Sequence, residues 1–148
     1  MKNVVCMFCG HRNVTDKEKM KKIVTEIIID LIENKGVDVF LCGGMGDFDD
    51  ICSQCVGDLK VRYHHIKQYL IIPYMTRKFE ESSYKYFMFN DVIKPDLGNV
   101  HPKAAIVKRN QWMVDKSEYI VAFVQREFGG AFNTLKYGIE EGKKIVRV

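Results

Sequence analysis

Val4-Val5-Cys6-Met7-Phe8-Cys9-Gly10-His11-Arg12, followed by Thr15-Asp16-Lys17-Glu18, sets the frame for the whole chain. Val4–Phe8 is a short unbroken apolar run, the pattern of a strand buried on both faces. Cys9-Gly10-His11-Arg12 ends it as a loop. Thr15 stands three residues before Glu18, the spacing of a capping box with Thr15 as N-cap and Glu18 reaching back. Met20, Ile23, Val24, Ile27, Ile28, Leu31 and Ile32 then recur at helical spacing on one face, and Gly36 stands where a left-handed C-cap belongs. A doubly buried strand feeding an amphipathic helix opens a parallel β–α–β arrangement.

The same alternation runs outward from there. Val37–Cys42 reads as a second strand, ended by Gly43-Gly44-Met45-Gly46. Asp47 or Asp49 is placed to cap the next helix, whose apolar positions are Phe48, Ile51, Cys52, Cys55, Val56 and Leu59. Gln68–Ile72 is a third strand, closed by Pro73. Residues 74–100 are aromatic (Phe79, Tyr84, Tyr86, Phe87, Phe89) and read as a short helix, then a short strand at Asp91–Lys94. Pro95, Gly98 and Pro102 punctuate the following loop. A helix starts near Pro102, which suits a first-turn position, and runs to about Lys116. Tyr119–Val124 is a strand, residues 131–141 a helix capped by Gly142, and Ile145–Val148 a last strand. The expected fold is α/β: a Rossmann-like open parallel sheet with helices on both faces, forming a single domain over residues 1–148.

Composition narrows the function classes. With 148 residues, 47% hydrophobic and 28% charged, the chain is neither disordered nor a disulfide scaffold. No apolar run approaches the roughly 20 residues of a spanning helix, and the first run is too short for a signal peptide. A cytoplasmic protein without a membrane partner is expected. A net charge of +4 favours anionic small ligands and is too small to argue for nucleic acid. The five cysteines, an odd count, read as reduced thiols. Cys6-Met7-Phe8-Cys9 and Cys52-Ser53-Gln54-Cys55 share the C-x-x-C spacing of zinc sites. However, Cys6 lies in a strand and Cys52 and Cys55 lie on a helix face, so buried thiols are favoured and no metal is expected. His64-His65 reads as a surface pair.

Ligands of such sheets bind beyond the carboxyl ends of the strands, near the reversal of strand order. Three strand ends carry glycine: Gly10, Gly43-Gly44-Met45-Gly46 and Gly129-Gly130. Glycine allows close backbone approach, and each loop feeds a helix N-terminus that favours negative charge. Convergence of all three points to a phosphate-bearing ligand; each alone would serve as a tight turn. None has the G-x-G-x-x-G or Walker A pattern, which disfavours a plain dehydrogenase or a P-loop ATPase. Arg12 is placed to chelate phosphate oxygens, with His11 donating beside it or bracing the turn. Ile106, Arg109 and Met113 share a helix face, so Arg109 is a charge inside an apolar stripe and needs a carboxylate or a ligand; the ligand is favoured. Asn110 and Trp112 flank it, and Trp112 is either a base-stacking ring or core. Asp47 and Asp49 are candidates for ribose contacts or a base, or for N-caps. Thr134 offers a hydroxyl to phosphate or to the helix turn.

These motifs resemble the SLOG superfamily, which includes the LOG (lonely guy) proteins and the Smf/DprA DNA-processing proteins. Cys9-Gly10-His11-Arg12, Gly43-Gly44-Met45-Gly46-Asp47-Phe48-Asp49, Arg109-Asn110-Gln111-Trp112-Met113-Val114-Asp115 and Gly129-Gly130-Ala131-Phe132-Asn133-Thr134-Leu135-Lys136-Tyr137 match, in order, a branch of small bacterial proteins over residues 3–148. The resemblance implies binding of a nucleotide or nucleotide derivative at the loop-rich edge. In LOG enzymes an arginine and a glutamate carry phosphoribohydrolase chemistry. Arg109 matches the arginine; the glutamate position is Tyr137, with Phe128 in place of a proline and Glu140 and Glu141 further along.

Two functions follow as expectations. One is a binding or sensor domain for a nucleotide-type ligand, with no required cofactor. The other is a hydrolase of N-glycosidic bonds in nucleoside monophosphates, with Arg109 orienting phosphate and Asp47 or Asp49 in the glutamate's role. A DNA-handling protein would show strongly salt-dependent binding and has little support in the charge. The Trp112 helix and the aromatic 79–89 segment are expected to form a homodimer interface.

Overall fold

Side chains alternate across a strand, and in β1 (Val5–Gly10) both sides are apolar. Cys6 and Phe8 enter one buried layer, Met7 and Cys9 the other. That makes β1 a central strand. The computed structural model describes residues 2–75 and 87–148. Beside β1 lie β2 (Val39–Cys42), β3 (Lys67–Ile71), β4 (Asp91–Ile93), β5 (Tyr119–Phe123) and β6 (Lys144–Arg147). They form one six-stranded sheet in the order β4-β3-β2-β1-β5-β6, and every pairing is parallel. The chain thus winds outward from β1 to β4, then returns to the other side of β1 for β5 and β6. The boundary between β1 and β5, where Gly10 registers with Phe123, is where the winding reverses.

Helices cover both faces. α1 (Lys17–Lys35) and α2 (Asp47–Leu59) contribute Val24, Ile28, Phe48 and Val56 to the layer that contains Cys6, Phe8 and Phe40. α3 (Pro102–Lys116) and α4 (Gly130–Glu140) contribute Met113, Val114 and Leu135 to the layer that contains Met7, Leu41 and Ile120. The α/β fold expected from the periodicity is the one observed.

Boundaries differ where tertiary pairing outweighs local pattern. β1 extends past its apolar run to Gly10 because β5 pairs with Cys9 and Gly10. The N-cap of α1 is Asp16 rather than Thr15; its carboxylate accepts from the Lys19 N–H at 3.1 Å. Neither Asp47 nor Asp49 caps α2. Gly46 does, without a side-chain bond, and Asp47, Asp49 and Asp50 sit in the first turn, where they complement the helix dipole. Gly36 closes α1 at φ +71° as the sequence predicts.

All five cysteines are buried free thiols. Cys6 and Cys9, three apart in a strand, point to opposite faces of the sheet and cannot share a ligand. Burial pushes the Cys9 and Cys42 thiols up to about 12. The short helix expected after residue 74, with Phe79, Tyr84 and Tyr86, falls largely on residues 76–86, outside the described ones. Among the described residues no helix is long and apolar enough to cross a membrane.

Candidate ligand-binding cleft

A cleft of about 510 Å³ opens at the carboxyl edge, astride the β1–β5 boundary. Gly10, His11, Arg12 and Asn13 enter from the end of β1, Gly43 and Met45 from the β2–α2 connection, and Asp49 from the first turn of α2. Ile106, Arg109, Asn110 and Met113 come from α3, Gln125 and Arg126 from the segment after β5, and Gly130, Ala131 and Thr134 from α4. Arg12 and Arg109, 97 positions apart in the chain, therefore face one space. Of the glycines and aspartates proposed for the site from the sequence, Gly44, Gly46, Asp47 and Gly129 do not line it.

Arg109 is 2% exposed, the largest side chain in the interior. Nη1 donates to the carbonyls of Gly43 and Ile71, each at 2.9 Å, and Nε donates to Asn110 Oδ1 at 2.8 Å. One carbonyl lies just after β2 and the other ends β3, so the guanidinium ties the two strand ends together. Among the described residues Nη2 has only the Met45 thioether, at 3.4 Å. Among the described residues no carboxylate lies within 4.0 Å of it. The sequence pointed to a carboxylate or a ligand for this charge; within the protein it is held by two carbonyls and the Asn110 oxygen, with one nitrogen weakly engaged.

Asp49 and Asp47 separate. An Asp49 oxygen accepts from the Met45 N–H at 3.0 Å, and a Cβ on Gly43 would stand 3.2 Å from it. Burial pushes the Asp49 carboxyl up to about 7, against the Met45 hydrogen bond and the Arg109 charge, which favour ionisation. Asp47 is occupied elsewhere. Its carboxylate accepts from the Val14 N–H at 3.0 Å and faces Lys17 at 3.7 Å, while its N–H donates to the Arg12 carbonyl at 2.8 Å. Asp47 staples two loops; its catalytic candidacy finds no support in this geometry.

His11 is buried and bridges the reversal point. Its Nε2 accepts from the Gln125 N–H at 2.7 Å, so the proton of the neutral ring sits on Nδ1, and the ring meets Phe123 edge-on at 5.3 Å. Burial and the nearby Arg126 charge lower its pKa. It braces the loops rather than presenting both nitrogens to a ligand. Arg126 and Gln125 line the cleft, and sequence reading missed both. Their only signal is position, just before Gly129-Gly130. Trp112 lies outside the cleft, half-buried with the Lys116 ammonium 5.5 Å from its ring. It packs with the α3–α4 layer.

Two helices start in the same way. Gly46 before α2 has φ +93°, ψ 178°, and Gly129 before α4 has φ +94°, ψ 178°, each without a side-chain cap. Among L-residues that region is almost closed, so glycine is required. The first amide of α2 is taken by the Arg12 carbonyl, whereas among the described residues the first amide of α4 meets no acceptor and is left for solvent or a ligand. Thr134 Oγ donates to the Gly130 carbonyl at 2.9 Å, the helix-turn role. Tyr137, at the LOG glutamate position, donates to Asp115 Oδ1 at 2.7 Å, and neither it, Glu140 nor Glu141 lines the cleft.

The model of the YspA SLOG family matches residues 11–146. The chain belongs to that family. Among solved structures, this SLOG chain superposes on DNA processing protein A (DprA) from Streptococcus pneumoniae with a TM-score of 0.70 at 16% identity, covering 98% of this chain and 50% of that one. It spans half the length of the DprA chain. The Moco carrier protein of Chlamydomonas rheinhardtii matches at TM-score 0.57 and 12% identity over 100% of this chain and 77% of that one. A second structure, of the molybdenum cofactor carrier protein from Chlamydomonas reinhardtii, gives 0.59 at 12% identity over 98% and 76%. At such identities the likeness establishes the fold alone. No curated protein matches the chain.

Proposed function

We propose that this SLOG chain binds a nucleotide or a nucleotide-derived phosphate ligand in the cleft, as a binding or sensing domain. The observation that carries this is Arg109: a buried cation at the wall of a cleft, with the Asp49 carboxyl as neighbour but, among the described residues, no carboxylate within 4.0 Å and one nitrogen engaged only by a thioether. A buried charge in that state favours an anionic or strongly accepting ligand. The first amides of α4 and the exposed Arg12 supply further positive potential on the same space. The solved neighbours include the Moco carrier protein, which is in keeping with a ligand-holding fold.

Native mass spectrometry of the chain purified without denaturation is expected to show a bound nucleotide, and calorimetry to show binding of nucleoside monophosphates. Arg12→Gln, which removes a charge-assisted contact, is expected to weaken binding about tenfold. Absence of both a bound mass and any binding heat would remove the proposal.

One observation favours hydrolysis as a second reading. A carboxyl pushed up to about 7 stands in the cleft, suited to hand a proton to a departing base while water takes the anomeric carbon. That residue is Asp49. Chromatography would then show free base released from a nucleoside monophosphate, abolished by Asp49→Asn. The homo-oligomer expectation belongs with these proposals: Val107 is exposed and Trp112 half-buried on α3. Analytical ultracentrifugation is expected to give the mass of a dimer.

A further inference from the structure

Arg126 lines the cleft, and its guanidinium rests on an aromatic ring. One side lies over the Phe128 ring, 5.1 Å from the centroid. Its Nη2 lies 3.5 Å from His11 Nδ1, a protonated nitrogen that bounds the guanidinium without bonding it, and His11 is itself anchored to the backbone of Gln125. No carboxylate among the described residues pairs with it. Phe128 is 66% exposed and is not part of the cleft wall, so the ring contributes little to the core. What it does is back a planar cation that faces the cleft. Trp112, the only tryptophan, stands elsewhere.

We propose that Arg126, backed by Phe128, is the stacking platform for a flat heterocycle, and so sets the preference for a base-bearing ligand over a bare sugar phosphate. This rests on the nucleotide reading above and adds the group that recognises the base. A guanidinium stacks on π-faces of every base, so the platform selects planarity rather than one base. The ammonium of lysine keeps the charge and loses the plane. That difference separates stacking from simple phosphate attraction.

The test is calorimetric titration of the full chain with AMP, GMP, CMP and UMP, and in parallel with ribose 5-phosphate. The native chain is expected to bind at least one nucleotide more tightly than ribose 5-phosphate. Arg126→Lys is expected to weaken that nucleotide about fivefold or more, with ribose 5-phosphate changed less than about twofold. Phe128→Ala, at an exposed position that leaves the core intact, should weaken the nucleotide in the same direction by freeing the guanidinium. Equal losses for nucleotide and sugar phosphate in Arg126→Lys, or no loss in either variant, would overturn the platform while leaving the nucleotide reading in place. If none of the nucleotides nor ribose 5-phosphate binds, the nucleotide reading falls and the platform with it.

Discussion

A guanidinium that is 2% exposed must be solvated by protein, and Arg109 draws that solvation from the carbonyl just after β2 and the last carbonyl of β3. Its place between Ile106 and Met113 announced a buried charge in the sequence. Its partners were not legible, because backbone carbonyls leave no signature in residue types. Asp47 and Asp49 show the same limit. Two residues apart in a first helical turn, they face different sides, and only the packing of α2 shows that Asp49 has the cleft and Asp47 the loop staple. The raised Asp49 carboxyl has a consequence for stability. Its folded value of about 7 lies above its ordinary 3.8, so the folded state holds the extra proton between those values. That contribution is full below pH 3.8 and is lost as pH rises through about 7. Asp49→Asn keeps an acceptor for the Met45 N–H and removes the buried charge. Its Tm relative to the native chain is expected to be higher at pH 8 than at pH 5, by at least about 2–4 °C, the equivalent of roughly 1 kcal/mol. Thermal denaturation at both pH values reads this, and an equal or reversed difference would contradict it.

At the scale of elements, the connections after β1, β2 and β5 carry glycine, each for its own reason. A Cβ on Gly10 would meet the Phe48 ring at 2.3 Å, so the end of β1 lies directly against α2. Gly46 combines φ +93° with a Cβ that would stand 2.6 Å from Arg12 Cα. Gly129 has φ +94° but open space, and Gly130 has open space with no such φ. Denaturant titration should therefore rank three alanine variants. Gly46→Ala is expected to lose about 3 kcal/mol or more from strain plus collision, Gly129→Ala about 1–3 from strain alone, and Gly130→Ala nothing or a slight gain. Gly46→Ala should also weaken ligand binding, since it displaces the backbone of Arg12. The glycines were visible in the sequence as a group. Their separate reasons depend on which element approaches each one, and the same holds for the caps: Thr15 and Asp16 are both good N-cap residues, and the exact start of α1 chose Asp16.

Across the whole molecule, the sheet reverses direction between β1 and β5, and His11 is the side chain that crosses that line to Gln125. Protonation would cost Nε2 its acceptor role beside the Arg126 charge. Because its folded pKa lies below 6.5, His11 contributes stability present above pH 6.5 and lost as pH falls through the folded value. The Tm advantage of the native chain over His11→Gln is thus expected to be largest above pH 6.5 and to shrink in acid; an advantage independent of pH would contradict the bridge. The sequence by itself determined the alternation of strands and helices, the doubly buried β1, and the family, because periodicity, glycine position and motif order are local properties of the chain. Tertiary structure alone decided which charges share the cleft. Arg12, Asp49, Arg109 and Arg126 come from four separate segments, and their meeting depends on the return of β5 to the far side of β1, a contact between residues more than a hundred positions apart.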